Sequence, residues 1–261
     1  MNPHIRYFMK MEYLVFLVML LLPSSFSTLV QPSAPPDQLS LLTVKATITS
    51  DPNNALANWN TTIPMCNWTG VLCSPNSQQV VMLDFTAKGL QGVISLALGN
   101  LTALVQLYLN YNQLHGSIPD ELGKLTGLKF LLCLDNYFTG IILPSLKNLS
   151  TLLHLDLSSN NLHGPIPPEI GMLTQLRWLY LYANQLSGSI PSSIGNLSNL
   201  VVLQLLANNL TGSIPHEIGN LTQLRTSSSM KISCQEQSFF RNHSFGIGDA
   251  DQFAKTSPME K

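Results

Sequence analysis

Histidines and glutamates recur along the chain at one fixed interval. The step from His115 to His163 equals the steps from Glu121 to Glu169 and from Glu169 to Glu217. Imidazoles bind zinc at about 2 Å, and closely paired carboxylates can act as acid and base. An interval that spans two stacked strands would separate equivalent residues by about 10 Å, which is too far for either centre. We therefore expect all five to be exposed turn residues.

His154 and Asp156 alternate along one predicted strand and are the nearest approach to an acid–base pair. A covalent mechanism would also need a positioned Ser or Cys nucleophile, and no recognisable motif supplies one. The VAIK, HRD and DFG motifs of protein kinases do not occur in the 261 residues. We therefore predict no catalysis by this chain and interpret the pair as recognition residues.

Composition argues against two further classes of ligand. The chain carries 13 basic and 14 acidic residues, and 10% of its residues are charged, against about 25% in an average domain. No basic field exists to attract nucleic acid. The four cysteines form no CxxC pair, so neither a metal site nor another cofactor is predicted.

The interval between these histidines is twice the length of a repeat that dominates the sequence. Six copies of LxxLxLxxNxLxGxIPxxxGxLxx fill residues 80–223. Self-similarity at this period predicts a solenoid whose stacked copies share one core. The asparagine column consists of Asn112, Asn136, Asn160, Asn184 and Asn208.

Each copy contains a short predicted strand. In "LVQLYLNYN", Leu107 and Leu109 alternate with Tyr108 and Asn110, so the leucines share one face. One strand cannot bury its leucines alone, and successive strands are expected to stack in parallel about 4.8 Å apart. We expect the asparagine column to satisfy buried backbone groups of adjacent turns. The glycine of LxG suits a tight or positive-φ backbone.

The outward strand positions form the candidate ligand or partner site, because the shared core leaves them free to vary. They carry two aromatic patches, Tyr108 with Phe130 and Trp178 with Tyr180 and Tyr182, and aromatic side chains often anchor interfaces. The alternative is that these side chains pack against each other or against a glycan. Ser158 occupies another outward position. The candidate residues are Tyr108, Asn110, Phe130, Leu132, His154, Asp156, Trp178, Tyr180, Tyr182 and Gln204.

The repeat resembles that of plant leucine-rich repeat proteins. "CNWTGVLC" and "VVMLDFTAKGLQGVISLALGNLTAL" resemble the N-terminal cap and first repeat of plant leucine-rich repeat receptor-like kinase ectodomains. The resemblance covers residues 37–225. It implies an extracellular α/β repeat, namely a right-handed solenoid with a parallel sheet on its concave face, a second small sheet and a helical N-terminal cap. It also implies a Cys66–Cys73 disulfide and the recognition of peptides, hormones or partner receptors.

The remaining cysteines have other expected roles. Cys133 stands in a leucine column of the repeat, so we expect a buried, inert thiol. Cys234 lies beyond the repeats and has no obvious partner.

Residues 1–27 are predicted to be a secretory signal peptide. Arg6 and Lys10 precede an apolar run at residues 13–22, which is too short to span a bilayer. A retained signal anchor is the alternative. The predicted location is therefore secreted, apoplastic or at the cell surface.

Eight N-x-[ST] sequons fit secretion. Four of them share one column of the repeat, so glycans would line one flank of the solenoid. Asn67 lies between two cysteines and is expected to be less accessible. The sequons are at Asn60, Asn67, Asn100, Asn148, Asn196, Asn209, Asn220 and Asn242.

Residues 28–79 are predicted to cap the first repeat, whose leucines would otherwise be exposed. The segment Asp37–Ser50 is predicted to be an amphipathic helix with Asp37 as N-cap. The predicted covering residues are Leu41, Leu42, Val44, Leu56, Trp59 and Trp68.

The six repeats are assigned to residues 80–225, and the pattern stops after Arg225. Residues 226–261 are polar and predicted to be disordered, which would leave an open end that makes the protein unstable or self-associating. We interpret the chain as broken off within a longer solenoid, with a short secreted form as the alternative. The residues expected at the open end are Leu203, Leu205, Leu210, Ile214 and Leu221.

The predicted function is recognition of an extracellular peptide or protein, such as a co-receptor with a leucine-rich repeat ectodomain, in receptor-kinase signalling. The first alternative is a free cell-wall protein, such as an inhibitor of pectin-degrading enzymes. A charged concave face would suit that role, whereas this one is mostly aromatic and neutral. The second alternative is a non-functional gene fragment.

Overall fold

The computed structural model describes residues 35–224 and 230–232. The predicted signal peptide, Cys234 and Asn242 lie outside the described residues. The described residues from Pro36 onward belong to one compact unit. Within the described residues, no helix is long and apolar enough to cross a membrane.

The described chain contains one α-helix, fifteen short strands and a 3-10 helix in each coil. The α-helix is α1 (Pro36–Ala46), followed by β1 (Ile48–Ser50), β2 (Val71–Cys73), β3 (Val80–Asp84), β4 (Gln91–Val93), β5 (Gln106–Tyr108), β6 (Gln113–Ser117), β7 (Phe130–Leu132), β8 (Tyr137–Thr139), β9 (His154–Asp156), β10 (His163–Gly164), β11 (Trp178–Tyr180), β12 (Gln185–Gly188), β13 (Val202–Gln204), β14 (Asn209–Leu210) and β15 (Met230–Lys231). The 3-10 helices are Met65–Asn67, Leu96–Asn100, Asp120–Lys124, Pro144–Asn148, Pro168–Met172, Ser192–Asn196 and His216–Asn220.

The principal sheet has eight strands in the order β15-β13-β11-β9-β7-β5-β3-β2. All neighbours from β3 to β15 are parallel, and β2 is antiparallel to β3. The register pairs Leu131 with Leu155 and Leu155 with Leu179, and all three are fully buried. The predicted stack of leucines beneath one sheet is therefore confirmed.

A second set of strands runs along the other edge of each coil. It consists of a four-stranded sheet, β1-β4-β6-β8, and a three-stranded sheet, β10-β12-β14. Backbone bonds also join the two sheets, because Asn161 N–H donates to Phe138 O and His163 N–H donates to Gly140 O, both at 2.8 Å. The leucine core lies between these strands and the principal sheet.

The asparagine column bridges successive coils. The Asn112 amide donates to Phe85 O at 2.7 Å in the preceding coil and to Leu109 O at 2.9 Å in its own coil. Its Oδ1 accepts from Leu90 N–H at 3.0 Å. Asn136, Asn160, Asn184 and Asn208 repeat the arrangement. The expected backbone role of this column is confirmed.

Two glycines permit close approach between chain segments. Gly92 has φ 140°, and a Cβ there would lie 2.3 Å from Thr47 O, where the cap docks on β4. A Cβ at Gly171 would lie 2.3 Å from Ser193 O of the next 3-10 helix. Larger residues at either position would push neighbouring backbone apart.

The cap differs from the sequence prediction at both ends of its helix. α1 ends at Ala46, because the segment Ile48–Ser50, which begins with two β-branched residues, pairs with β4 instead of continuing the helix. Asp37 is not the N-cap but lies inside α1, where its Oδ2 accepts the Val80 N–H at 2.8 Å. This bond ties the helix to the first strand of the repeats.

The predicted covering residues are largely confirmed. Trp59 and Trp68 stack at 5.2 Å between ring centroids, and Phe85 of the first repeat lies 5.4 Å from Trp59. Leu41, Val44 and Leu56 are also buried, whereas Leu42 is only partly buried.

The cysteines of the described part occupy the expected states. Cys66 and Cys73 form a disulfide with their Cα atoms 5.5 Å apart. Cys133 is a fully buried free thiol, and burial, followed by the Asp156 charge, raises its pKa.

The predicted open end is wrong in two respects. Met230–Lys231 forms β15, so the expected disorder of residues 226–261 does not hold there, and Leu205 N–H donates to Lys231 O at 2.8 Å. Leu203, Leu205 and Leu210 are fully buried, Leu221 is 4% exposed, and Ile214 is partly buried against the core. Ile232, which follows β15, joins the same core. The premise for self-association through these residues is therefore removed.

The asparagine column yields a test of stability. Asn160→Ala leaves the buried Phe138 N–H without its acceptor and removes one of the two amide donors to Cys133 O, which keeps the longer bond from Asn136 at 3.3 Å. We expect a loss of about 3 kcal/mol in the free energy of unfolding, measured by chemical denaturation.

The neighbouring exposed Asn161 supplies the control. Its backbone N–H donates to Phe138 O and would be retained in Asn161→Ala, so the change should stay within about 0.5 kcal/mol. Equal stability of the two variants would contradict a structural role for the column.

Candidate ligand-binding site

The outer side chains of the principal sheet form two parallel rows, which together we call the concave face. The pairing register of β3, β5, β7, β9, β11 and β13 fixes both rows, and their side chains are half-buried. The first row is Met82, Gln106, Phe130, His154, Trp178 and Val202. The second row is Asp84, Tyr108, Leu132, Asp156, Tyr180 and Gln204.

The first aromatic patch is a modest contact. The Tyr108 and Phe130 rings lie 6.5 Å apart with an interplanar angle of 57°. The Tyr108 hydroxyl donates to Gln106 Oε1 at 2.9 Å. Burial, followed by the Asp84 charge, raises the pKa of Tyr108. This hydroxyl therefore remains a neutral hydrogen-bonding group.

The second aromatic patch differs from the prediction, because its ring contacts centre on a histidine. The His154 ring lies 5.5 Å from Trp178 and 5.4 Å from Tyr180. The Arg177 guanidinium lies 4.9 Å from the centre of the Trp178 ring. We call His154, Asp156, Trp178 and Tyr180 the aromatic cluster.

The other four predicted residues contribute less directly. Asn110 Oδ1 accepts the Leu134 N–H at 3.0 Å, so this side chain supports the next coil. Tyr182 lies beyond the end of β11 and is half-buried. Leu132 and Gln204 extend the second row on either side of Asp156 and Tyr180.

Asp156 is held by a residue that the sequence analysis placed facing outward. Ser158 is fully buried. Its N–H donates to Asp156 Oδ1 at 3.0 Å, and its hydroxyl donates to the same oxygen. The expectation for Ser158 is therefore wrong, because the Asp–x–Ser turn folds the short side chain back on the carboxylate. Burial raises the Asp156 pKa, against the opposing effects of the Ser158 hydrogen bonds and of His154.

His154 is the polar member of the cluster with an unused atom. Its Nε2 is buried and has no hydrogen-bond partner among the described residues. Burial lowers the His154 pKa, and the nearby Asp156 charge opposes this effect. The unprotonated ring therefore packs like an aromatic side chain, with its Nε2 buried and unpaired among the described residues.

Sequence reasoning missed Arg177, Met82 and Asp84. Arg177 precedes β11, and with Leu153, Gln175, Asn199, Val201 and Gln223 it lines a groove of about 340 Å³ at the edge of the sheet. Met82 and Asp84 belong to the first repeat, whose "VVMLD" carries the same alternation as later copies. That alternation was the available signal for these two residues.

The recurring histidines and glutamates do not occupy one kind of position. His115 and His163 are exposed but lie in β6 and β10, not in turns. Glu121, Glu169 and Glu217 lie in 3-10 helices and are half-buried. The turn assignment is wrong for all five, because the second strands and the 3-10 helices occupy those parts of each coil.

Four of the sequons mark the side of the coils that carries the 3-10 helices. Asn100, Asn148, Asn196 and Asn220 are each exposed and each end a 3-10 helix. Asn67 is exposed as well, so its expected protection between the cysteines is wrong. None of these five asparagines belongs to the concave face.

The lowered pKa of His154 gives a pH prediction. In the unfolded chain the His154 imidazole takes up a proton near pH 6.5. In the folded chain the same imidazole takes it up only at a lower pH. Its contribution to stability is therefore present above pH 6.5 and is lost as pH falls below it. We expect wild type to lose more stability than His154→Gln between pH 7.5 and 5, measured by thermal unfolding. Identical losses would contradict the prediction.

Comparisons with known proteins agree with this architecture. The chain matches the leucine rich repeat N-terminal domain over residues 34–74 and the Leucine Rich Repeat over residues 103–125, 151–173, 175–197 and 199–221. The LRR receptor-like serine/threonine-protein kinase EFR of Arabidopsis thaliana is 38% identical over 94 residues. That match covers 36% of this chain and 9% of EFR, so the chain spans a small part of such relatives.

Solved ectodomains resemble the chain over more of its length. The Arabidopsis HAESA ectodomain, in complex with an IDA peptide hormone, is 32% identical, with a TM-score of 0.59 over 73% of this chain and 36% of that chain. The Arabidopsis thaliana BIR2 ectodomain is 31% identical, with a TM-score of 0.51 over 75% of this chain and 91% of that chain. Cap, repeats and near-complete coverage of BIR2 together show that this chain belongs to the family of plant leucine-rich repeat receptor-like kinase ectodomains.

Proposed function

We propose that this chain recognises an extracellular peptide or protein through the concave face, as the sensing part of a plant signalling receptor. The observation that carries the proposal is the aromatic cluster. The His154 ring contacts both Trp178 and Tyr180 on the outer face of a sheet whose opposite face holds the leucine core. Partly exposed tryptophan and tyrosine side chains on a rigid support are typical anchors of interfaces.

Related ectodomains support this class of partner. The HAESA ectodomain was solved with a peptide hormone, and the PEPR1 structure likewise contains AtPEP1. Another similar structure is the complex of BIR3 with SERK2 from Arabidopsis thaliana. A peptide ligand and a second ectodomain are therefore both reasonable partners, and the peptide is the one we favour because the aromatic cluster is compact.

The proposal places the chain on the extracellular side of the plasma membrane. The Cys66–Cys73 disulfide is stable in an oxidising compartment. The exposed sequons on the 3-10 helices would carry glycans away from the concave face. We propose no catalytic role for the repeats, because the hydroxyl that contacts Asp156 belongs to the fully buried Ser158 and donates to the carboxylate.

The concave face gives a direct binding test. The secreted, glycosylated protein is used to capture peptides from plant extracellular fluid. The affinities of Trp178→Ala and Tyr180→Ala for a captured peptide are then compared with that of the wild type. Loss of an interface anchor costs about 2 kcal/mol or more, so each variant should bind captured peptide about 30-fold more weakly. Affinity is measured by calorimetry with the synthesised peptide.

Met172→Ala is the matched control. Met172 is 58% exposed and ends a 3-10 helix, away from the concave face, so its loss should leave affinity unchanged. The proposal fails if Met172→Ala weakens binding as much as Trp178→Ala does, or if the aromatic variants bind normally.

Glycan placement gives a second test. Chain secreted from plant cells should carry glycans at Asn100, Asn148, Asn196 and Asn220, because all four are exposed at helix ends. Mass spectrometry after enzymatic deglycosylation measures their occupancy. Peptide affinity should change less than twofold when the glycans are removed, and a large change would contradict a concave site.

A further inference from the structure

Asp156 is a half-buried carboxylate without a cationic partner among the described residues. Its Oδ1 accepts both hydrogen bonds from Ser158, and its Oδ2 accepts none from the described residues. In residues 35–224 and 230–232, the ion pair within 4 Å is His216 with Glu217, and Asp156 takes part in none. Removing a carboxylate from water is costly unless an opposite charge or hydrogen bonds compensate it. The Oδ2 atom of Asp156 is therefore free to accept a hydrogen bond from a partner outside the chain.

The strand neighbours of Asp156 carry no positive charge that could fill this role. Its neighbours in the second row are Leu132 and Tyr180, and those of His154 in the first row are Phe130 and Trp178. His154 itself contacts the cluster rings, and burial lowers its pKa, so the ring stays uncharged at neutral pH. Arg177 lies over Trp178 without forming an ion pair with Asp156.

The rings beside the carboxylate are suited to the same kind of partner. Aromatic faces attract ammonium and guanidinium groups within about 6 Å of the ring centre. The position of Arg177, 4.9 Å from the Trp178 centroid, is an example within this chain. Tyr180 is paired with Asp156 across adjacent strands, so its ring borders the carboxylate. Charge and ring geometry therefore favour the same class of ligand group.

We propose that Asp156 and Tyr180, with Trp178, bind a cationic group of the ligand, namely an arginine or lysine side chain of an extracellular peptide. This inference rests on the proposed function and specifies its ligand. The ammonium or guanidinium donates to Asp156 Oδ2 and lies against the aromatic rings. An acidic or purely apolar side chain would leave the half-buried carboxylate without compensation.

Trp178 provides a built-in probe. The chain has three tryptophans, and the indole N–H groups of Trp59 and Trp68 donate to backbone carbonyls inside the cap. A shift of the Trp178 indole resonance in a nitrogen-15 correlation spectrum of the full chain therefore reports binding at the aromatic cluster. The probes are Nα-acetyl-arginine N-methylamide and its uncharged counterpart, Nα-acetyl-norleucine N-methylamide.

The arginine probe should shift the Trp178 resonance saturably at millimolar concentrations, and the norleucine probe should bind at least about tenfold more weakly. Asp156→Asn keeps the Oδ1 acceptor for Ser158 but removes the charge, and should weaken arginine binding about tenfold. Asp135→Asn removes the same charge at an exposed position with φ 56°, which asparagine tolerates. This control should bind the arginine probe as wild type does.

Three results would overturn the inference: no saturable shift with the arginine probe, equal binding of the norleucine probe, or undiminished binding by Asp156→Asn. These failures leave the proposed function standing if Trp178→Ala still loses affinity for a captured peptide. Normal peptide binding by Trp178→Ala would instead remove the proposed function. The unfolding temperature of Asp156→Asn, measured alongside, shows whether the variant is folded.

Discussion

The hydrogen bonds of the buried asparagines hold each coil at a fixed step from the next. A coil that turns sharply after a short strand leaves backbone groups facing the interior, and these groups need partners. Asn160 supplies them by donating to Cys133 O in the preceding coil and accepting from Phe138 N–H in that same coil. With the backbone satisfied in this way, the leucines can form a dry core. Most of the outward strand side chains are then free of structural roles, and Asn110, which accepts the Leu134 N–H, is an exception.

The regular part of the fold was predictable, because its causes are local and repeated. Period-two leucines indicated the parallel sheet, and the register of Leu131, Leu155 and Leu179 follows from it. Departures occur where two distant segments meet once. Asp37 bonds Val80 far along the chain, and Ile48–Ser50 pairs with Gln91 and Gly92. Single contacts of this kind leave no periodic pattern in the sequence from which they could be predicted. The strand at Met230–Lys231 was missed for the same reason.

The candidate site was predictable as a set of positions but not as a set of contacts. Alternation along each strand places Trp178, Tyr180, His154 and Asp156 on one face. The alternation does not predict that the His154 ring contacts both aromatic rings, nor that Ser158 turns inward and donates to Asp156. Those outcomes depend on rotamers and local turns. Arg177 was overlooked because it precedes the strand, although its guanidinium lies on the Trp178 ring.

The fixed step between coils also bears on how such a face could diversify. Because a coil bonds only to the coils on either side, gain or loss of one whole repeat would leave the remaining core contacts intact. Each row of outward side chains would nevertheless change at that point, because side chains from formerly separated coils would become neighbours. Duplication of the unit that carries β9 would set two copies of the His154–Asp156 pair side by side. Whole-unit recombination is thus a source of new surfaces that needs no redesign of the interior.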